Sequence, residues 1–282
     1  MDNKTIVAIM YDFDKTLTTK DQQEFTFIPG VGLDAGEFWQ RSNGLAEREK
    51  MDRILAYMYL MLREADRAEK PISRGEFVDL GKDLEYFNGV KEWFARINEY
   101  AKGLDVIIEH YIISSGLKEI IEGSEISANF KEIFACEFYY DINKIAKWPK
   151  NVVNYTTKTQ FVFRINKNVL DLSDDVTIND YTPDNERRVP FRNMIYIGDG
   201  LTDVPCMQLV KTRGGYSIAV YTDKDKVSDL ILHERVNFIA FADYSEAKEL
   251  DTLIKDILVK ISMEDKLAYL SGLQRDEIKT IS

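Results

Sequence analysis

Two aspartates separated by one residue, Asp12 and Asp14, follow directly on the apolar run Ile6 to Tyr11, and a threonine stands two positions further on at Thr16. Carboxylates at i and i+2 at the end of a strand leave it on the same side, so their charges repel unless a cation lies beside them. Magnesium suits such a pair, because it prefers hard oxygen ligands and is held by one or two carboxylates together with water and phosphate oxygens. A calcium loop of the EF-hand kind fits poorly. Counting from Asp12, its sixth position is Leu17 rather than Gly and its twelfth is Gln23 rather than Glu.

Three further clusters carry chemistry. Tyr111-Ile112-Ile113-Ser114-Ser115-Gly116 runs into a helical pattern at Leu117 to Glu122, where a hydroxyl and free backbone N–H groups at a helix start suit phosphate oxygens. Taken alone, Ser114 reads as an ordinary N-cap. Thr156-Thr157-Lys158-Thr159-Gln160 opens another helical pattern, and a lone lysine there is ordinarily a solvated charge. The sharpest cluster is Met194 to Asp203, a short apolar strand followed by Gly198-Asp199-Gly200 and then Asp203. Its glycines let backbone approach a ligand. It is no dinucleotide fingerprint, since the third glycine is absent and an acidic residue at the turn repels a pyrophosphate.

The elements that must position these residues alternate between strand and helix, which predicts an α/β sheet with helices on its faces. Ile6 to Tyr11 and Val106 to Ile113 read as strands covered on both sides. Phe134 to Tyr140, Met194 to Ile197, Ser217 to Tyr221 and Phe238 to Phe241 complete six candidates, enough for a doubly wound parallel sheet. Between the first two, residues 31–85 show no strand and one long helical pattern, Ala46 to Ala68, with Met51, Leu55, Met58, Tyr59 and Leu62 on a stripe that reads as core packing. That stretch is expected to be a small helical insert, with Gly30 and Gly89 as hinge regions, on a core of residues 1–30 and 86–282. Asn166 to Pro190, rich in charge and bounded by prolines, reads as a surface excursion with a hairpin around Val176 to Tyr181. Each of the four clusters then sits at the carboxyl end of a strand, where open α/β sheets bind ligands.

Composition bounds the partners. The chain of 282 residues has 37 Lys and Arg against 48 Asp and Glu, a formal charge of −11, which argues against nucleic acid and against membrane surfaces. With 45% apolar residues it can bury a sizeable core. Cys136 and Cys206 stand in no Cys-x-x-Cys or Cys-His cluster and read as reduced core thiols, while His110 and His233 lack ligand spacing and read as structural or surface groups. Met1 to Thr5 is polar, and the longest apolar run, Ile54 to Leu62, is less than half of the about 20 residues a membrane span needs, so a cytoplasmic protein is expected.

Together the four clusters resemble the haloacid dehalogenase-like hydrolase superfamily, particularly phosphatases of the phosphoserine phosphatase type. Asp-x-Asp-x-Thr at Asp12 to Thr16, Ser114, Lys158 and Gly-Asp-Gly-x-x-Asp at Gly198 to Asp203 occur in the family's order. The first and last are specific, the middle two are identified by position. The resemblance implies a Rossmann-like core with a helical cap inserted after the first motif, and a magnesium-dependent phosphatase working through an aspartyl-phosphate. It makes Asp12 the nucleophile and Asp14 the acid and base, with the Asp14 main-chain carbonyl also on the metal. Asp199 and Asp203 complete the metal site, the latter by supporting the metal shell or orienting Lys158. Thr16, Ser114, Ser115, Gly116 and Lys158 hold the phosphate. With the phosphate dianion bound, such a site stays net negative even with magnesium and Lys158 counted, which favours keeping one carboxyl protonated.

Dehalogenases displace halide without needing a proton and lack the second aspartate, so Asp14 favours phosphate chemistry. A phosphotransferase or phosphomutase of the same superfamily differs only in its acceptor. A non-catalytic phosphate-binding regulatory module is the reading of another class, set against by the helical insert. The expected partner is a small phosphorylated metabolite, its leaving group near Asp21, Glu24, Trp39, Arg41, Arg48 and Arg53. Glu47 to Leu62 does not match the cap segment that recognises the amino-acid part of phosphoserine, and Lys15 replaces the small residue common in the first motif, which argues against phosphoserine itself.

Overall fold

Five consecutive residues of the first strand, Val7 to Tyr11, are buried, and this strand lies inside the sheet rather than at its edge. The computed structural model describes residues 4–70, 72–183 and 186–281. Its seven strands are β1 (Thr5–Tyr11), β2 (Val106–Leu117), β3 (Phe130–Tyr140), β4 (Ala146–Asn151), β5 (Met194–Gly198), β6 (Tyr216–Tyr221) and β7 (Phe238–Phe241), in the order β4-β3-β2-β1-β5-β6-β7. All neighbours are parallel except β3 and β4. The Val- and Ile-rich runs form the parallel part because only strands covered on both faces can bury such sequences.

The sheet is therefore not wholly parallel, and β4 is a strand that the sequence reading lacks. Its Pro149 cannot donate to a ladder and its Lys147, Trp148 and Lys150 are not buried, so it pairs on one side only, at the edge. Strand order reverses at β1, with β2 on one side and β5 on the other. The carboxyl ends of these three strands bound the crevice where such sheets take ligands.

The helices in chain order are α1 (Gln22–Phe25), α2 (Phe27–Gly30), α3 (Ala35–Glu49), α4 (Arg53–Arg67), α5 (Arg74–Leu80), α6 (Val90–Lys102), α7 (Lys118–Glu122), α8 (Lys158–Lys167), α9 (Val204–Thr212), α10 (Asp225–Leu232) and α11 (Glu249–Ile281). The β1-to-β2 and β5-to-β6 crossovers run in opposite directions along the sheet, which places α6 and α9 on opposite faces. The first packs with α11 and the second with α8. Trp93, Phe94 and Ile97 of α6 are fully buried, as are Leu250, Ile254 and Ile261 of α11.

Helices α1 to α5 all lie between β1 and α6, and they correct the sequence reading in one respect. Ala46 to Ala68 is not one helix: Lys50 takes a left-handed conformation at φ 52° and ends α3, and Asp52 starts α4 by accepting from the N–H groups of Ile54 at 2.8 Å and Leu55 at 3.2 Å. The restart sets the buried face to Tyr57, Met58, Met61 and Ala65, so of the expected stripe only Met58 is fully buried, while Leu55 and Tyr59 are exposed. Glu64 is buried too, paired with Arg67 at 2.6 Å and Arg41 at 3.4 Å.

The stretch after α8 likewise differs from expectation. Val176 to Tyr181 holds a single 3-10 turn, Thr177–Asn179, in place of a hairpin, and Asn166 belongs to α8. Arg164 ties this stretch down by donating to the carbonyl of Asp171 at 2.7 Å. Asp184, part of the charged run read from the sequence, lies outside the described residues.

Candidate active site

Asp12 is the first residue past β1, and its N–H still donates to the Ile197 carbonyl of β5 at 2.9 Å, which fixes it beside the Gly198-Asp199 turn. Its Oδ1 accepts from the Phe13 N–H at 2.8 Å and lies 3.1 Å from Lys158 Nζ. Lys158 opens α8 and is wholly buried, unlike the solvated charge that a lone lysine at a helix start ordinarily is. Its ammonium also donates to Asp203 Oδ1 at 2.7 Å, and the Tyr196 hydroxyl donates to that same oxygen at 2.7 Å. The other oxygen, Asp203 Oδ2, is buried and receives no hydrogen bond. Gly198 is needed for this approach, since a Cβ there would lie 2.5 Å from Asp203 Oδ2.

Asp12, Asp199 and Asp203 each offer a carboxylate oxygen within 4.8 Å of the others. The Asp14 carboxylate is not in that group. It accepts from the Gln22 N–H at 2.8 Å and from Gln22 Nε2 at 3.3 Å, so any part it takes in a metal site falls to its main-chain carbonyl. Gly116 packs against this pair: a Cβ would sit 1.7 Å from Gln22 Nε2 and 2.7 Å from Asp14 Oδ2.

Burial and mutual repulsion set the protonation of the site. Burial, with the nearby Asp203 charge, pushes the Asp12 carboxyl up to about 6 even against Lys158. The same two causes, with Asp12 added, push Asp199 up to about 8. Asp14 is held well above the usual carboxylate range by burial, then by Asp21 and Asp12. Burial alone would lower the Lys158 ammonium, but Asp12 and Asp203 outweigh it and raise it. One lysine against a trio of carboxylates leaves an excess of negative charge that a hard dication relieves.

The hydroxyl groups meet the same place from β2. Because β2 runs to Leu117, Ser114, Ser115 and Gly116 are extended strand and not the cap of a helix, and α7 starts without a side-chain cap bond. The anion reading based on a helix start therefore gives way to one based on a strand end. Ser114 is buried and its Oγ accepts from the Gly116 N–H at 3.0 Å. Ser115 Oγ and Thr16 Oγ1 are buried with no hydrogen-bond partner. Beside the two serines lies a cavity of ≈ 250 Å³ whose wall includes Asp12, Asp14, Ser114, Ser115 and Asp199 but not Thr16, Gly116 or Lys158.

Helix α4 roofs this cavity through Ile54. Two hydrogen bonds join it to the core, Tyr57 Oη to the Ser115 carbonyl of β2 at 2.6 Å and, from the turn before α8, Asn154 Nδ2 to Asp52 Oδ2 at 2.9 Å. Tyr196, Gln22, Tyr57 and Asn154 are absent from the sequence reading of the site. The one available clue was a hydroxyl, that of Tyr196, in an otherwise apolar strand just before Gly198. Outside the site, His110 is buried between Tyr11 and Asn98 at 3.0 Å from each, and Cys136 and Cys206 are buried free thiols. No described helix is long and apolar enough to cross a membrane.

Residues 9–208 match the sequence pattern of the haloacid dehalogenase-like hydrolases. An uncharacterised protein of Borreliella burgdorferi is 29% identical over 279 residues, covering 88% of this chain and 95% of its own. Among solved structures, a HAD family hydrolase from Salmonella enterica serovar Typhi superposes with a TM-score of 0.58 at 14% identity, over 90% of this chain and 72% of that one. A substrate-bound phosphoserine phosphatase gives a TM-score of 0.56 at 14% identity, over 90% and 99%. At these identities the two structures are alike in fold.

Proposed function

The chain belongs to the haloacid dehalogenase-like hydrolases, and on that footing we propose that it is a magnesium-dependent phosphatase that hydrolyses a small phosphomonoester through a phosphoryl group carried on Asp12. Residues 31–85 act as a helical cap over a catalytic core of residues 1–30 and 86–282. The substrate is a small phosphorylated metabolite, neither nucleic acid nor membrane is a partner, and the protein works in the cytoplasm.

The observation that carries this reading is the buried set Asp12, Lys158 and Asp203 with Asp199 beside it. A buried carboxylate oxygen without a partner, Asp203 Oδ2, together with an all-oxygen donor set, fits a hard dication such as magnesium. Asp12, Asp199 and Asp203, with the Asp14 main-chain carbonyl, would hold it, and it would neutralise phosphoryl charge.

The chain's own groups account for the steps. Lys158 and the Phe13 N–H hold Asp12 Oδ1, leaving Oδ2 to attack phosphorus. As the P–O ester bond breaks, Asp14, kept protonated by its raised pKa, gives its proton to the leaving oxygen. Asp14 then takes a proton from water, which attacks the aspartyl-phosphate and frees phosphate and Asp12. Ser114, Ser115, Gly116, Thr16 and Lys158 supply hydroxyl, N–H and ammonium donors to the phosphoryl oxygens.

Release of inorganic phosphate from p-nitrophenyl phosphate with added magnesium tests the reading. It should be lost with chelator and in Asp12→Asn. Release that survives either treatment would refute it, and transfer of the phosphoryl group to an added alcohol in preference to water would mark a phosphotransferase instead.

A further inference from the structure

The cavity above the carboxylates also constrains what leaves with the ester oxygen, a point that rests on the phosphatase reading. Apart from Asp12, Asp14 and Asp199, the charged residues on its wall are Lys15 and Asp21. Those two are paired with each other at 2.5 Å. Lys15 is further fixed by a left-handed backbone at φ 57°. The remaining side chains over the mouth are Ile54, Tyr155, Leu201 and Thr202.

The cap cations that sequence placed near a substrate are occupied elsewhere. Arg41 pairs with Glu37 and Glu64, Arg48 with Glu49, and Arg53 lies 3.8 Å from Glu47. None of the three lines the cavity. Glu24 accepts from the Trp39 indole at 2.7 Å. A leaving group bearing a carboxylate would thus have to break the Lys15–Asp21 pair, face the other carboxylates of the wall or lay its charge against Ile54 and Leu201, at the cost of desolvation, and an ammonium finds Asp21 already held by Lys15 and the Asp14 carboxylate by Gln22. An apolar group meets no such cost. Tyr155, 41% exposed, and Leu201, 72% exposed, are apolar surface that such a group would cover. The volume of ≈ 250 Å³ lies below the roughly 300–1,000 Å³ of sites for drug-sized ligands, which limits the group to one ring or a short chain.

We infer that the substrate is the phosphate ester of an uncharged apolar alcohol or phenol of single-ring size, with its ring held among Ile54, Tyr155 and Leu201. These three residues set specificity; the carboxylates and Lys158 set the chemistry.

The test uses the intact chain with magnesium and compares kcat/KM for benzyl phosphate, O-phosphoserine and methyl phosphate, whose leaving groups are all simple alkoxides. Benzyl phosphate should exceed phosphoserine by about tenfold or more, the scale of one apolar contact. Tyr155→Ala and Ile54→Ala should each lower the benzyl-to-methyl ratio several-fold, and Leu201→Arg should shift preference towards phosphoserine. Phosphoserine turned over as well as benzyl phosphate, or a benzyl-to-methyl ratio insensitive to both alanine variants, would overturn the inference while leaving the phosphatase reading intact. Release of no phosphate from all three esters and from acetyl phosphate as well would overturn both.

Discussion

Tyr196 shares one oxygen of Asp203 with Lys158: its hydroxyl donates to Asp203 Oδ1 at 2.7 Å, and so does the ammonium, at the same distance. Two donors on Oδ1 fix the carboxylate's rotation and leave Oδ2 for a metal. A hydrogen bond to a charged group is worth about 1.5–3 kcal/mol, so Tyr196→Phe should weaken magnesium or manganese binding about tenfold or more. Calorimetric titration, or manganese paramagnetic resonance, reads this directly. An unchanged dissociation constant would show that Tyr196 only fills the core.

Chelator-treated protein should lose stability as pH rises from about 4 to about 8. The Asp12 and Asp199 carboxyls, pushed up to about 6 and about 8, still hold protons in the native state at a pH where the unfolded chain has released them. Their stabilising contribution is complete below the unfolded carboxylate range and disappears as pH passes through those two values. Thermal melting in chelator should therefore show a falling midpoint over this window, flattened in Asp199→Asn and reversed by magnesium. A midpoint that rises across it would contradict the assignment.

Removing the buried cation of the site should be costly. Lys158→Met leaves Asp12 and Asp203 buried without a counter-charge, and breaking a buried pair costs about 3–5 kcal/mol. Urea unfolding above pH 8 is the suitable measurement. A loss under about 1 kcal/mol there would mean that the carboxylates are not held as charges.

Gln22 should tune the acid. Both of its donors lower the Asp14 pKa, so removing the side-chain donor in Gln22→Leu raises it. Since the acid must be protonated to act, the alkaline limb of the kcat profile should move to higher pH. A shift to lower pH would reverse the role given to Asp14.

Most of the parallel sheet could be read from the sequence because Ile6 to Tyr11 and Met194 to Ile197 are apolar throughout and Val106 to Ile113 is broken only by Glu109 and His110, a pattern few other placements can bury. Edge strand β4 could not, since Pro149 and two lysines carry no strand pattern and its place depends on β3. The break at Lys50 was hidden as well, because a lysine in the left-handed region has no distinguishing composition, although Asp52 offered a cap. In the site, the aspartates and Lys158 followed from motif order. Tyr196 and Gln22 act across chain separations or through rotamers that no spacing encodes. Ser114, read from the sequence as lying between a strand end and a helix start, belongs to the strand, which runs on to Leu117.

The two hydrogen bonds holding α4, from Tyr57 to the Ser115 carbonyl and from Asn154 to Asp52, stand at separate places: one on the strand that bears Ser114, the other on the turn that leads into Lys158. Lifting α4 to exchange solvent or product must therefore disturb the backbone on both approaches to the phosphoryl site at once. At about 1 kcal/mol net for each bond, the open form is rarer by a factor of about 30 than if α4 were untethered. On the phosphatase reading, turnover should then depend on how often α4 lifts as well as on how fast the ester bond breaks. A solvent-viscosity dependence of kcat that vanishes in Tyr57→Phe would be its signature.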